Sequence, residues 1–320
     1  IEYGSTRDHT LAIKALLSDG SEVTFSALSK EEFKSKTKGD TLEASLYKQL
    51  FSELDNPVIR DQIEAGYPKA TISRRNTGYA VDALMHSSPF YESGEAFNFS
   101  KLICGSEGTL AFITELKLQI VPLPKPFQVV LNAHFNSINE SLQATLIAMK
   151  QAPSACELMD KTILDCTKDN STQQKNRFFV EGDPEAILMV EFRGDTLEAA
   201  KVQAALLERN LKDSNLGYAY PLVEGDACEK VWDLRKAGLG LLANIPGDAK
   251  AVACIEDTAV AIEDLPLYIE AFTRLMKSYN QKAVYYAHAG AGELHLRPIL
   301  NLKTSTDVAL FRTISEASAK

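Results

Sequence analysis

No stretch of this 320-residue chain is apolar for long enough to span a bilayer as a helix. Positive charge is also scarce. The 34 Lys and Arg stand against 43 Asp and Glu, a net charge of −9, and such a balance does not suit nucleic acid or an anionic membrane as a partner. Neither common phosphate loop, G-x-G-x-x-G or G-x-x-x-x-G-K-[ST], occurs anywhere, so no nicotinamide site or P-loop is visible. The five cysteines, at 104, 156, 166, 228 and 254, form no C-x-x-C pair, and their number is odd. They read as free thiols in a reducing compartment, hence a cytoplasmic protein or one peripheral to the inner membrane. No secretory signal, internal repeat or low-complexity tract is visible. The chain opens at Ile1 without a Met and stops within a helical pattern, TDVALFRTISEASAK. A fragment of a longer protein is the expectation.

What is present is ample core material: 45% of residues are hydrophobic, and the length allows two domains. Residues 9–25 are two apolar runs around Asp19-Gly20, a hairpin signal. The segment 97–126 ends in a long strand pattern stopped by Pro122, Pro124 and Pro126, which mark the best domain boundary. We therefore expect domains at 1–126 and 127–320. Beyond the prolines, FQVVLNAHF and AILMVEFRG (186–194) read as strands, and SINESLQATLIAMKQA, TLEAAKVQAALLERNLKD and LPLYIEAFTRLMKSYNQ as helices. CEKVWDLRKAGLGLLANI (228–245) reads as a further helix, KAVACIEDTAVAI as one strand and HAGAGELHLRP (288–298) as the last strand. Alternation at this spacing predicts an α+β sandwich, a sheet covered by helices on one face.

Three stretches carry chemistry. In HAGAGELHLRP the two histidines are seven residues apart, so on one regular strand they would point to opposite faces. A bulge or tight bend at Gly290–Gly292 could bring both imidazoles to one side, with Glu293, His295 and Arg297 continuing on that face and Leu294 and Leu296 packing inward. Two such imidazoles suit a divalent metal such as zinc; on spacing alone they are equally two polar residues at a strand bend. GSEGTL (105–110) has glycines that let backbone approach a ligand, or form an ordinary turn. Arg235, in VWDLRKAG, reads as a solvated helical Arg. Glu256 and Asp257 are either a strand end at the sheet rim or part of a site.

YGSTRD (3–8), RRNTGY (74–79), GSEGTLAFITELKLQIVPLP (105–124) and HAGAGELH (288–295) occur in that order. This series resembles the FAD-linked oxidases related to D-lactate dehydrogenase, D-2-hydroxyglutarate dehydrogenase and the glycolate oxidase flavin subunit. The resemblance implies the second half of a vanillyl-alcohol-oxidase-type FAD-binding domain followed by a ferredoxin-like α+β cap. It implies FAD contacts at Asn76, Gly78, Gly105, Ser106, Glu107, Gly108 and Ile113, and a divalent metal, zinc by preference, on His288 and His295. It places Arg235 against a substrate carboxylate and aligns Lys250 with a substrate-binding lysine. Arg297 stands where many members carry an Asn that contacts substrate, and Ala291 replaces the Asp of HAGDG. The implied activity is oxidation of a D-2-hydroxy acid such as lactate, 2-hydroxyglutarate or glycolate. Its electrons would pass to a quinone, another flavoprotein or a fused iron–sulfur domain. The family's Gly-rich pyrophosphate segment and its later Glu-His-Gly segment are not in this sequence. The alternatives are a metal-dependent hydrolase using the same histidine pair, or a non-catalytic binding module.

Overall fold

The computed structural model describes residues 2–75, 78–168 and 170–320. It divides into two compact units, a smaller one of Tyr3–Ala70 and Arg75–Pro122, and a larger one built mainly from Leu123–Lys320.

In the smaller unit β1 (Thr10–Leu16) pairs with β2 (Glu22–Ser26), turning at Asp19-Gly20, where Gly20 takes a positive φ of 82°. Helices α1 (Lys30–Lys36), α2 (Leu42–Leu54) and α3 (Pro57–Gly66) follow. Ser29, Thr41 and Asn56 cap their N-termini through side-chain oxygens that accept backbone N–H groups. Phe25, Phe33, Tyr47, Phe97 and Phe99 form the aromatic centre of this core. The third strand, β3 (Phe112–Leu118), pairs antiparallel with β1, and all seven of its residues are exposed.

The larger unit is an antiparallel sheet of eight strands. These are β4 (Phe127–Phe135), β5 (Ala155–Asp160), β6 (Ala186–Gly194), β7 (Leu222–Glu224), β8 (Lys250–Ala251), β9 (Ile255–Ala259), β10 (Ala283–His288) and β11 (Glu293–Leu300). Their order is β7-β4-β6-β5-β10-β11-β8, with β9 also paired to β11. Its longer helices are α4 (Ile138–Met149), α5 (Lys161–Lys168), α6 (Leu197–Asp213), α7 (Ala227–Leu241), α8 (Leu265–Ser278) and α9 (Ser305–Ala319). One sheet face carries Leu131, Leu158, Leu188, Ala287, Leu294 and Leu296 against α4, α6, α8 and α9. The other carries Val130, Met159, Met189, Val284 and Tyr286 against Ile163 and Leu164 of α5 and Val231 and Leu234 of α7.

Three local expectations are corrected. Helices cover both faces, because the interior strands are apolar on both sides and each apolar face needs a cover. Residues 250–262 form two short strands, not one. The closing motif supplies β11 and the end of β10, two strands joined by a turn.

Candidate functional site

The turn is what unites the two histidines. His288 ends β10, Ala289–Ala291 make one tight helical turn, and Gly292 takes a left-handed φ of 66° before β11 begins. A side chain at Gly292 would also strike the Val260 carbonyl, so the position needs glycine twice over. In the resulting register His288 stands opposite Glu293, and Tyr286 opposite His295. Cross-strand partners share a face, so Tyr286, His288, Glu293, His295 and Arg297 all lie on the α7 side. The imidazole centroids are 5.4 Å apart with planes at 75°. Leu294 and Leu296 point into the opposite core and are fully buried.

Arg235 comes to this face from α7. It is not a solvated residue: 6% of it is exposed. Gly238, one turn along, allows the approach, since a Cβ there would lie 2.5 Å from Ile163 Cγ2. The Arg235 guanidinium lies over the Tyr286 ring, 3.3 Å from its centroid. Its Nη2 donates to Glu157 Oε2 at 2.6 Å and to the Ala287 carbonyl at 3.3 Å, while among the described residues its buried Nε has no acceptor. Burial lowers the Arg235 pKa to about 10 although Glu157 pulls it up.

Glu157 was not legible as a site residue. It lies on β5 in CELMD, and the signal was a carboxylate between the apolar residues Cys156 and Leu158 of an interior strand. Its two oxygens also receive His288 Nδ1, at 3.1 and 2.9 Å. A second carboxylate treats the second histidine alike. Glu256 Oε2 lies 2.7 Å from His295 Nδ1, while Glu256 Oε1 accepts Arg297 Nε at 2.6 Å. Asp257, left-handed at φ 55°, brings Oδ1 to 3.2 Å from the same His295 nitrogen. Glu256, Asp257 and His295 each place a ligand atom within 4.8 Å of the others, an arrangement able to hold a cation. An ionised carboxylate only accepts, so a neutral ring beside one would carry its proton on Nδ1 and leave its lone pair on Nε2.

Lys250 is placed elsewhere. Its ammonium donates to the carbonyls of Ala243 and Ile245, at 3.1 and 2.5 Å. On β8 it pairs with Leu300, five residues or about 17 Å along β11 from His295.

The remaining predicted residues lie in the smaller unit, except that Asn76 falls outside the described residues. Gly105, Glu107 and Gly108 all have positive φ, at 83°, 52° and 74°. Ser106 is buried, and its carbonyl accepts the Thr109 N–H and hydroxyl. Arg7 of YGSTRD donates to the carbonyls of Lys101 and Cys104, and Tyr79 of RRNTGY shares a hydrogen bond of 2.8 Å with Thr109. Two motifs distant in sequence thus brace the third, the GSEGTL loop. A Cβ on Gly78 or Gly108 would meet nothing within 4 Å, so the backbone there faces open space. Ile113 is 40% exposed and Phe112 70%. Open backbone beside exposed apolar side chains suits the polar and planar parts of a flavin nucleotide.

Residues 125–319 match the family model described as FAD linked oxidases, C-terminal domain. The chain belongs to the FAD-linked oxidase family. D-2-hydroxyglutarate dehydrogenase of Pseudomonas putida (strain KT2440) is 30% identical over 326 residues, covering 99% of this chain and 31% of the relative. Glycolate oxidase subunit GlcD of Escherichia coli (strain K12) is 30% identical over 210 residues, covering 62% of this chain and 38% of the relative. The chain thus spans about a third of the length of the D-2-hydroxyglutarate dehydrogenases it matches. Among solved structures, p-cresol methylhydroxylase with substrate bound superposes with a TM-score of 0.53 at 10% identity, over 98% of this chain and 56% of the other. That likeness establishes the vanillyl-alcohol-oxidase type of fold, an α+β architecture. Among the described residues no helix is long and apolar enough to cross a membrane.

Proposed function

We propose that the protein containing this chain is an FAD-dependent dehydrogenase that oxidises a D-2-hydroxy acid of the 2-hydroxyglutarate, lactate or glycolate kind. The domain limits proposed are 1–126 for the flavin-binding part and 127–320 for the substrate-binding part. The observation that carries the reading is the gathering of Arg235, His288 and His295 on one sheet face, with both imidazole Nδ1 atoms tied to carboxylates.

The chemistry follows from those groups. Arg235 is a buried cation whose Nε–H has no acceptor among the described residues, a donor suited to a substrate carboxylate. With no metal on the pair, the Nε2 lone pair of one of the two imidazoles, His288 or His295, can accept the single hydroxyl proton as the Cα–H bond breaks; with a metal there, both lone pairs would serve as its ligands instead. When bound, FAD supplies the hydride acceptor, and a divalent metal such as zinc supplies a Lewis acid that acidifies the hydroxyl. Two imidazoles on one tetrahedral zinc at about 2.0–2.1 Å have centroids about 5 Å apart, close to the spacing of 5.4 Å here. Gly78, Gly105, Ser106, Glu107, Gly108 and Ile113, with Asn76, are the residues proposed to hold the flavin. Arg297 is proposed as a substrate contact through its place beside His295, and Lys250 only as a distant one. The electrons would leave to a quinone, another flavoprotein or a fused iron–sulfur domain.

The test uses the intact protein purified with its flavin. D- and L-2-hydroxy acids are offered with an artificial electron acceptor, and dye reduction is followed. Reduction with one or more D-acids is expected. A flavin-loaded protein that reduces dye with none of them overturns the reading.

A further inference from the structure

We infer that Glu157 is the positioning residue of this site, one carboxylate that anchors the Arg235 guanidinium and sets the tautomer of His288. This rests on the hydroxy-acid reading above.

Three observations carry it. The first is cost. Glu157 lies on an interior strand between the buried residues Cys156 and Leu158, and its side chain is 16% exposed. A carboxylate held there away from water must be compensated by donors. The compensation comes from two groups proposed to work on substrate, Arg235 and His288. The second is register. Ala287 stands opposite Leu158 on the β5–β10 ladder, so the next pair along brings His288 beside Glu157. The strand pairing itself presents the carboxylate to the ring, without any loop.

The third is the allocation of protons. Glu157 Oε2 takes Arg235 Nη2 at 2.6 Å, and both oxygens lie on His288 Nδ1. A neutral imidazole has one N–H, and a carboxylate requires it at Nδ1, which leaves Nε2 as the acceptor. The same carboxylate fixes Nη2 while Tyr286 supports the guanidinium plane, so the remaining guanidinium edge is held in one orientation. Glu157 touches neither substrate nor cofactor in this scheme. It acts through the two side chains it holds.

The experiment reads the tautomer directly. Long-range proton–nitrogen spectra of the chelator-treated chain, which also report whether the ring is neutral, should show neutral His288 protonated on Nδ1. In Glu157→Gln, which keeps the size and removes the charge, the Nδ1–H share should fall. In the intact flavoprotein the same change should lower kcat roughly tenfold to a hundredfold and raise KM for the hydroxy acid, with flavin retained. Glu157→Asp should recover part of the turnover. A wild-type ring protonated on Nε2, or a tautomer unchanged in Glu157→Gln, overturns the inference; so does a variant that loses thermal stability but not turnover. Should Glu157→Gln fail to fold, the wild-type tautomer and Glu157→Asp still decide. Wild-type flavoprotein inert toward every 2-hydroxy acid would overturn the functional reading instead, and the spectra would then judge the tautomer by itself.

Discussion

His288 and His295, seven residues apart in sequence, face each other at 5.4 Å between ring centroids across adjacent antiparallel strands. The spacing depends on a connection of four residues, which makes His288 and Glu293 direct partners. One residue more or fewer would shift the register and send His295 into the opposite core.

Gly292→Ala tests that dependence. The left-handed φ and the clash with the Val260 carbonyl should together cost about 1–3 kcal/mol. Chemical denaturation of the chain is the measurement. A variant as stable as wild type would mean that the turn is less constrained than its geometry implies.

Two glycines of α7 should behave oppositely. Gly238→Ala puts a methyl against Ile163 and Met159, and overpacking of this kind costs about 1–3 kcal/mol. It should also displace the helix turn that carries Arg235. Gly240 has nothing within 4 Å of an added Cβ, so Gly240→Ala should be neutral or stabilising by up to about 1 kcal/mol. Paired thermal melts would compare them, and equal shifts would count against close α5–α7 packing as the cause.

In the intact flavoprotein, Arg235→Lys should lose turnover while keeping flavin. Lysine keeps the charge but lacks the planar fork that spans Glu157, the Ala287 carbonyl and a ligand. Loss of one charge-assisted hydrogen bond is worth about 1.5–3 kcal/mol, or roughly tenfold to a hundredfold in kcat/KM. Unchanged kinetics on all acids would leave Arg235 a structural residue.

Chelation separates two uses of the histidine pair. If His288 and His295 share a divalent ion, a strong chelator should abolish dye reduction reversibly, restored by zinc, with the flavin spectrum intact. Full activity after chelation would assign the imidazoles to acid–base work alone.

Stability should fall with rising pH through the weakly acidic range because of Asp160. Burial pushes its carboxyl from an ordinary 3.8 to about 7, against the lowering effect of N–H groups from Tyr285 and Ile163. Between those values the folded chain holds a proton that the unfolded chain has released. Protonation therefore favours the folded state, and the contribution is lost as pH rises from about 4 to about 7, by up to about 1.4 kcal/mol per pH unit. Urea midpoints across that range would show the slope, and Asp160→Asn should flatten it.

Local pattern was enough for much of the frame. Short apolar runs at 127–135 and 186–194 placed β4 and β6, and helical spacing in the stretches that open at Ser137 and Thr196 placed α4 and α6, because these signals act within a few residues. The motif series pointed to the flavin-linked family, and the parity of His288 and His295 required a turn between them. The tertiary structure alone decided which partners those side chains meet. Glu157 and His288 are 131 positions apart, and Glu256 and His295 are 39 apart. Strand order determines such pairings, and no periodicity within one strand reports which strand lies beside it. The second helical layer was hidden for the same reason. Apolar alternation shows that a face must be covered, while chain topology determines that α7 covers this one and brings Arg235 with it.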